Sequence, residues 1–125
     1  MTIQGALDMA DQMRPNMMEE ATKISFLNEL EQMIHGELIM KHVHSAEEEV
    51  TPEYDEDTDP ATELLIPSPY DKVYWLYIMH RIDLQNQEMD KYNNDRALFE
   101  HAYQEAADWI NRTRQGTTSL LRIRI

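Results

Sequence analysis

The sequence predicts a single, mostly α-helical domain in which about four helices pack as a small bundle. Three observations carry this prediction. The chain has 125 residues, which is the usual size of one domain. Through most of its length apolar residues recur three or four positions apart, as on one face of a helix. It contains no cysteine, so its stability has to come from packing without disulfides or thiolate metal sites.

Capping residues mark the first two helices. Thr2 suits the N-cap of a first helix that Pro15 ends. Asn16 followed by Glu19 has the form of a capping box, which predicts a second helix reaching about Lys41. The apolar stripe of this second helix consists of Ile24, Leu27, Leu30, Ile34 and Leu38.

A long acidic loop, residues 43–67, separates the second helix from the third. Helical periodicity is lost there, and the loop contains nine acidic residues but no Lys or Arg. These acids are Glu47, Glu48, Glu49, Glu53, Asp55, Glu56, Asp57, Asp59 and Glu63. Only residues 63–66 are predicted to form a short extended segment. A loop of this length inside a compact domain is typically functional or disordered.

Two further helices follow the loop. Ser68, Pro69 and Asp71 form a strong helix-start signal for the third helix. Apolar and aromatic residues cover much of the circumference of this helix, which predicts that it is the centre of the core. The turn and cap residues Tyr92–Asp95 predict the boundary with a fourth helix, whose apolar stripe runs over residues 98–110.

The chain is predicted to end in a basic, β-like tail. Gly116–Ser119 reads as a flexible break, so residues 1–119 form the helical domain and residues 120–125 the tail. Apolar and basic residues alternate with the period of a strand: Leu121, Arg122, Ile123, Arg124 and Ile125. After Asp108 the sequence has no acidic residue, whereas Arg112 and Arg114 add to the basic end.

Charge and hydropathy exclude several classes of partner. The formal net charge of −13 repels phosphate backbones and anionic headgroups, so we expect neither sequence-specific nucleic acid nor membrane as a partner. The longest apolar run, Val73–Met79, is far shorter than the roughly 20 residues that span a bilayer. The N-terminus has no secretion signal, and we expect the protein to be made in a cytoplasm.

The acidic loop begins like a calcium-binding loop but does not continue as one. Asp55, Asp57 and Asp59 stand at alternate positions, as calcium ligands do. Pro60 then occupies the position of the required glycine, and Ile66 that of the closing glutamate. A solvated acidic loop is therefore the better interpretation.

The histidines and glycines also predict no cofactor. His35, His42 and His44 do not match the i, i+4 spacing of a helical zinc site. Three scattered glycines cannot build a phosphate-binding loop. Carboxylate pairs on the predicted helices do not converge on one pocket, so we expect no metal, no cofactor and no catalytic residue.

The second half of the chain resembles a known family. An aromatic helix, PYDKVYWLYIMHRIDLQNQEMDKYNND, begins at Pro69 and is followed by RALFEHAYQEAADWINRTR and the basic tail. This order of residues is similar to that of the helical head-tail connector, or adaptor, proteins of tailed bacteriophages and prophages of Gram-positive bacteria. The likeness runs along most of the chain and is most specific over residues 70–109, notably in NQEMDKYNND from Asn86 to Asp95.

The resemblance implies a structural protein of the virion neck, assembled in the cytoplasm of the bacterial host. Family members form rings, commonly of twelve or thirteen subunits, which lie beneath the portal protein and extend the DNA channel. Their other partners are tail-side stopper or tail proteins. They are not enzymes and need no cofactor.

In such a ring the acidic loop and the basic end of one chain would be complementary interaction surfaces. The candidate interaction residues are Glu47, Glu48, Glu49, Asp55, Glu56, Asp57, Asp59, Leu64, Leu65, Ile66, Arg112, Arg114, Leu121, Arg122, Ile123, Arg124 and Ile125. The tail would pair with the neighbouring subunit or with the portal; alternatively, both segments are solvated in the free protein.

Two other classes of function are compatible with a small acidic helical chain. One is a protein-binding regulator, antitoxin-like or anti-repressor-like, that acts as a dimer. The other is a metal-dependent helical-bundle enzyme, which would need Glu-x-x-His pairs facing the bundle interior. The predicted second, third and fourth helices contain no such pair. A dimer at every concentration would indicate the regulator, and large rings the connector.

Overall fold

A computed structural model describes residues 1–42 and 44–124 of the chain, with side chains as far as Arg114. The described part is mostly helical and has four α-helices and no strand, in agreement with the predicted fold class. The helices are α1 (Ile3–Met13), α2 (Glu20–Ile34), α3 (Lys72–Gln85) and α4 (Met89–Arg124).

Helix α3 is the centre of the core. It packs against α1, α2 and α4, and Tyr74, Ile78 and Ile82 are completely buried along it. The prediction that the third helix is surrounded on much of its circumference is therefore confirmed. Each fully buried aliphatic side chain of this kind stabilises the fold by about 1.5–3 kcal/mol.

The capping prediction holds for α1 and fails for α2. The Thr2 hydroxyl oxygen accepts a hydrogen bond from Gly5 N–H at 3.0 Å, as expected of an N-cap. Asn16, however, lies outside α2, where its side-chain oxygen accepts from Met18 N–H and its amide donates to Asp11. Because Asn16 is used in this loop, the predicted capping box does not form.

Two more helix boundaries differ from the predicted positions. A π-helical turn, His35–Ile39, continues α2, so its helical conformation ends close to the predicted Lys41 but is not α-helical throughout. Helix α3 begins at Lys72 with Asp71 as its N-cap residue, later than the signal at Ser68 predicts. The intervening residues form a turn, which shortens the helix by one turn at its start.

The predicted boundary between α3 and α4 is wrong, because Tyr92–Asp95 lies inside α4. The chain instead turns at Gln87, which has a φ of 58°. Glu88 N–H donates to the Asp83 carbonyl at 3.0 Å and Gln87 N–H to the Leu84 carbonyl at 3.1 Å. These two bonds form a Schellman motif, with glutamine at the left-handed position where glycine is usual.

Of residues 63–66, which were predicted to be extended, only Glu63 takes part in a β-bridge, and it pairs with the N-terminus. Thr2 and Glu63 form an isolated antiparallel bridge, and Leu64 N–H donates to the Met1 carbonyl at 2.9 Å. The next apolar residues enter the core: Leu64 is 6% exposed and Ile66 is fully buried. The end of the acidic loop is thereby part of the bundle.

The backbone of α4 continues through Arg124 and includes both the predicted break and most of the predicted strand-like tail. An extended tail would need a partner edge, and the extended segment at Glu63 is already paired with Thr2. A helix satisfies its own backbone groups without such an edge. The described residues do not include Val43, Ile125 or any side chain beyond Arg114. The interactions predicted for the side chains of residues 121–125 therefore lie outside the described part of the chain.

Candidate interaction surface

A buried glutamate, Glu31 of α2, holds the acidic loop against the core. Tyr74 of α3 donates to one carboxylate oxygen of Glu31 at 2.7 Å, and Tyr54 of the loop donates to the other at 2.9 Å. Leu65 N–H also donates to Glu31 at 2.9 Å. The Tyr74 hydroxyl oxygen in turn accepts from Ile66 N–H at 2.8 Å. One side chain of α2 thus fixes two separate points of the loop.

The electrostatics of this network follow from its burial. Burial raises the pKa of Glu31, although the hydrogen bonds from Tyr74, Leu65 and Tyr54 oppose the shift. The pKa values of Tyr74 and Tyr54 are also raised, first by burial and then by the nearby glutamate. Both hydroxyls therefore remain donors at neutral pH. The carboxylate accepts three hydrogen bonds from three different parts of the chain, so the network joins the loop to the bundle.

A second attachment joins the loop to the basic end of the chain. Glu48 accepts two hydrogen bonds from the Arg114 guanidinium, at 2.6 and 3.3 Å. The hydrogen bonds from Arg114 are the main reason that the pKa of Glu48 is lowered to about 2. His35 adds a bond from its ring Nε2–H to the Glu48 carbonyl at 2.6 Å. Arg114 and Glu48, predicted to contact other subunits, contact each other within one chain.

The other acids of the loop are presented to solvent. Eight of the nine loop acids are exposed, and Glu48 is the half-buried one. The exposed acids are Glu47, Glu49, Glu53, Asp55, Glu56, Asp57, Asp59 and Glu63. Because residues 48, 54 and 64–66 are attached to the bundle, the loop that carries these carboxylates is held on the surface of the bundle. We call this set of eight residues the acidic face.

The remaining sequence-predicted interaction residues serve the fold. Leu64 and Ile66 are buried in the core and Leu65 is partly buried, so they offer little surface to a partner. Arg112 donates to the Tyr70 hydroxyl at 3.3 Å, and Tyr70 stacks on Trp109 with ring centroids 5.3 Å apart. The described part of the basic end therefore packs on its own bundle.

The carboxylates that resemble a calcium loop form local turns. The Asp55 side chain accepts from Asp57 N–H at 2.9 Å, and the Asp59 side chain accepts from Ala61 N–H at 2.9 Å. Such bonds are typical of Asx turns. Within residues 1–42 and 44–124, no three His, Asp or Glu side chains lie close enough together to bind one metal ion.

The structure also contains a buried ionic cluster that the sequence analysis missed. Asp83 of α3 and Asp95 of α4 are each 1% exposed at the side chain, and both contact Arg14, at 3.2 and 2.9 Å. Burial and the neighbouring Asp95 raise the pKa of Asp83 to about 7, against the opposing effect of Arg14. Asp83 Oδ2 has no hydrogen-bond partner among the described residues, whereas Asp95 Oδ2 is the oxygen that lies 2.9 Å from Arg14.

Comparisons with protein families, with curated proteins and with solved structures find no significant match for this chain. Within the described part of the chain, no helix combines the length and the hydropathy needed to cross a membrane.

Proposed function

We propose that the chain is a structural subunit of a phage neck, a head-tail connector that assembles as a ring beneath the portal protein. The observation that carries this proposal is the acidic face, which is held in place by the Glu31 network and by the Glu48–Arg114 ion pair. The resemblance of residues 70–109 to connector proteins supports it. The virion neck would be its final location, after assembly in the host cytoplasm.

An acidic face suits a protein that surrounds DNA without binding it. Carboxylates along a channel repel the phosphate backbone, so packaged DNA would move past them without being retained. The attachments of the loop at Glu48, Tyr54 and Ile66 would keep the acids on the wall of such a channel and out of the path of the DNA.

The perturbed ionisable groups support a structural role over an enzymatic one. Glu31 is surrounded by donors from three residues, and Glu48 is paired with Arg114. Asp83 and Asp95 face Arg14 inside the bundle. In each network the carboxylate whose pKa is shifted contacts a residue from another segment of the same chain. Each network therefore joins separate segments of the fold.

The proposal is tested by measuring the mass of the purified protein over a wide concentration range, alone and with a portal protein from the same genome. We expect a monomer or weak oligomer at low concentration and a closed assembly of many subunits at high concentration or with the portal. A stable dimer at every concentration, with no binding to the portal, would contradict the proposal and favour the regulator. The neighbouring genes give a second readout, because a connector gene lies beside those for portal, capsid and tail proteins.

A further inference from the structure

Exposed apolar side chains are concentrated at one end of the bundle. Among the described residues seven large hydrophobic side chains are exposed, and four of them belong to two short segments, residues 13–18 and 84–89. The four are Met13, Met17, Leu84 and Met89, which are 46, 101, 45 and 51% exposed. Single exposed hydrophobic residues are ordinary, whereas a group of them in one place marks a contact with another molecule. We call these two segments the methionine end.

The two segments lie together where α1 and α3 end and α4 begins. Arg14 of the first segment contacts Asp83, which precedes the second segment, at 3.2 Å. Met17 and Met18 line a cavity of about 230 Å³ together with residues 85–86. The methionine end is therefore one region of the surface, although its residues are far apart in the sequence.

The charges of the methionine end are already paired within the chain. Its two segments contain only two charged residues, Arg14 and Glu88. Arg14 contacts Asp83 and Asp95, and Glu88 forms an ion pair with Lys91 at 2.9 Å. Protein interfaces are depleted of charged residues at their centre and enriched in methionine, whose flexible side chain adapts to a partner. The methionine end has this composition.

A second copy of the chain is the partner that the charge pattern favours. The chain has a formal net charge of −13, so two copies repel each other over much of their surface. The repulsion is small at the methionine end, because its own charges are paired. Exposed acids, Glu19 and Asp90, flank this end and would oppose the contact at low salt.

The size of the apolar patch predicts a weak contact. From their exposed fractions, the four side chains present on the order of 400 Å² of surface, which is less than the roughly 800 Å² that each partner buries in a stable complex. Association through this end should therefore depend on concentration within the micromolar to millimolar range.

We infer that two copies of the chain associate end to end through their methionine ends. Such a contact is isologous, because the same surface is used by both copies, and it pairs copies without building a ring by itself. The ring contacts of the proposed function would use the sides of the bundle. The inference therefore goes beyond the proposed function and does not depend on it.

Nuclear magnetic resonance of the full-length protein, labelled at the methyl groups of its nine methionines, tests this contact. The resonances of Met13, Met17 and Met89 should shift as the concentration is raised from about 10 μM to about 1 mM, the range in which a weak dimer forms. Two methionines are internal controls and should not shift. Met40 is 39% exposed but follows the π-helical turn, and Met79 is buried in α3.

A charge at the centre of the contact gives a second test. Met17→Glu should weaken association by about tenfold or more in sedimentation equilibrium, because it brings like charges together. The fully exposed side chain of Met17 is not part of the core, so the fold should be unaffected. The matched control is Val50→Glu, which adds the same charge at an exposed position of the acidic loop and should leave association nearly unchanged. Added salt should strengthen the wild-type contact by screening the flanking acids.

Two results would overturn the inference: methionine resonances that do not move with concentration, and equal effects of Met17→Glu and Val50→Glu. Shifts that appear only when the portal is added would also overturn it, because the methionine end would then bind a different protein.

The outcomes separate this inference from the proposed function. Rings in which no two methionine ends meet would overturn the end-to-end contact and leave the connector proposal standing. A dimer sensitive to Met17→Glu that never grows into a larger assembly would support the contact and contradict the ring.

Discussion

Replacing Asp83 with asparagine should make the free energy of unfolding less dependent on pH. In the folded chain burial and the neighbouring Asp95 raise the pKa of Asp83 from 3.8 to about 7. Between these values the folded protein holds a proton at this site that the unfolded protein releases. The stabilisation that Asp83 gives the fold is therefore complete at pH values below its pKa in the unfolded chain. It is lost as the pH rises through its pKa in the folded chain.

The size of the effect follows from the same shift. One bound proton corresponds to roughly 1.4 kcal/mol per pH unit, and about half of that proton is already lost at pH 7, so the site should lower the stability of the wild type by about 2 kcal/mol from pH 5 to pH 7. Asparagine cannot ionise, and its amide donates to Asp95 as the protonated aspartate does. The stability of Asp83→Asn relative to wild type should therefore rise by about 2 kcal/mol over this range and level off above it.

The assay is urea denaturation of both proteins at pH 5, 6, 7 and 8, followed by circular dichroism. Titrating groups outside the Asp83–Asp95 pair, including His80, are common to both proteins and cancel in the difference. Asp57→Asn, which removes an exposed carboxylate of the acidic face, is the matched control for the loss of one acidic side chain. A constant difference for Asp83→Asn would refute the proton assignment.

Four further predictions concern three single side chains and metal binding. Tyr74→Phe removes a buried donor and an acceptor, and should lower the free energy of unfolding by about 1–3 kcal/mol in urea denaturation. Gln87→Gly should raise it by up to about 1 kcal/mol by relieving the left-handed conformation, whereas Gln85→Gly inside α3 should lower it. Glu48→Gln should speed hydrogen exchange of the adjacent loop amides and lower stability by less than about 1 kcal/mol, an effect present above pH 4.5 and lost towards pH 2. Calorimetry with calcium and zinc should show no stoichiometric binding, and a micromolar signal abolished by Asp57→Ala would contradict this.

The sequence predicted the features that depend on local pattern. Thr2 was identified as a cap because its hydroxyl and the following residues are adjacent in sequence, and α3 was identified as central from its apolar circumference. The end of α3 was not predicted, because the left-handed residue that ends it is Gln87. This position is usually a glycine, and a glycine there would have marked the helix end in the sequence. No local pattern distinguishes such a glutamine from an ordinary helical one.

The buried polar networks could not be predicted because their members are far apart in sequence. Glu31 and Tyr74 are separated by 43 residues, and Arg14 and Asp83 by 69. In the sequence, Glu31 and Asp83 look like ordinary acidic residues on the solvent-exposed face of a helix. One signal was available: Asp83 and Glu31 both fall close to the apolar stripes of their helices, where a charged residue has to find a partner.

Cryo-electron microscopy of the protein concentrated in the presence of its portal tests the central claim most directly. The account predicts closed rings with a central channel, in which each subunit has the four-helix bundle and keeps its acidic face attached through the Glu31 network. Isolated dimers, open filaments, or a portal that remains bare at high protein concentration would contradict it.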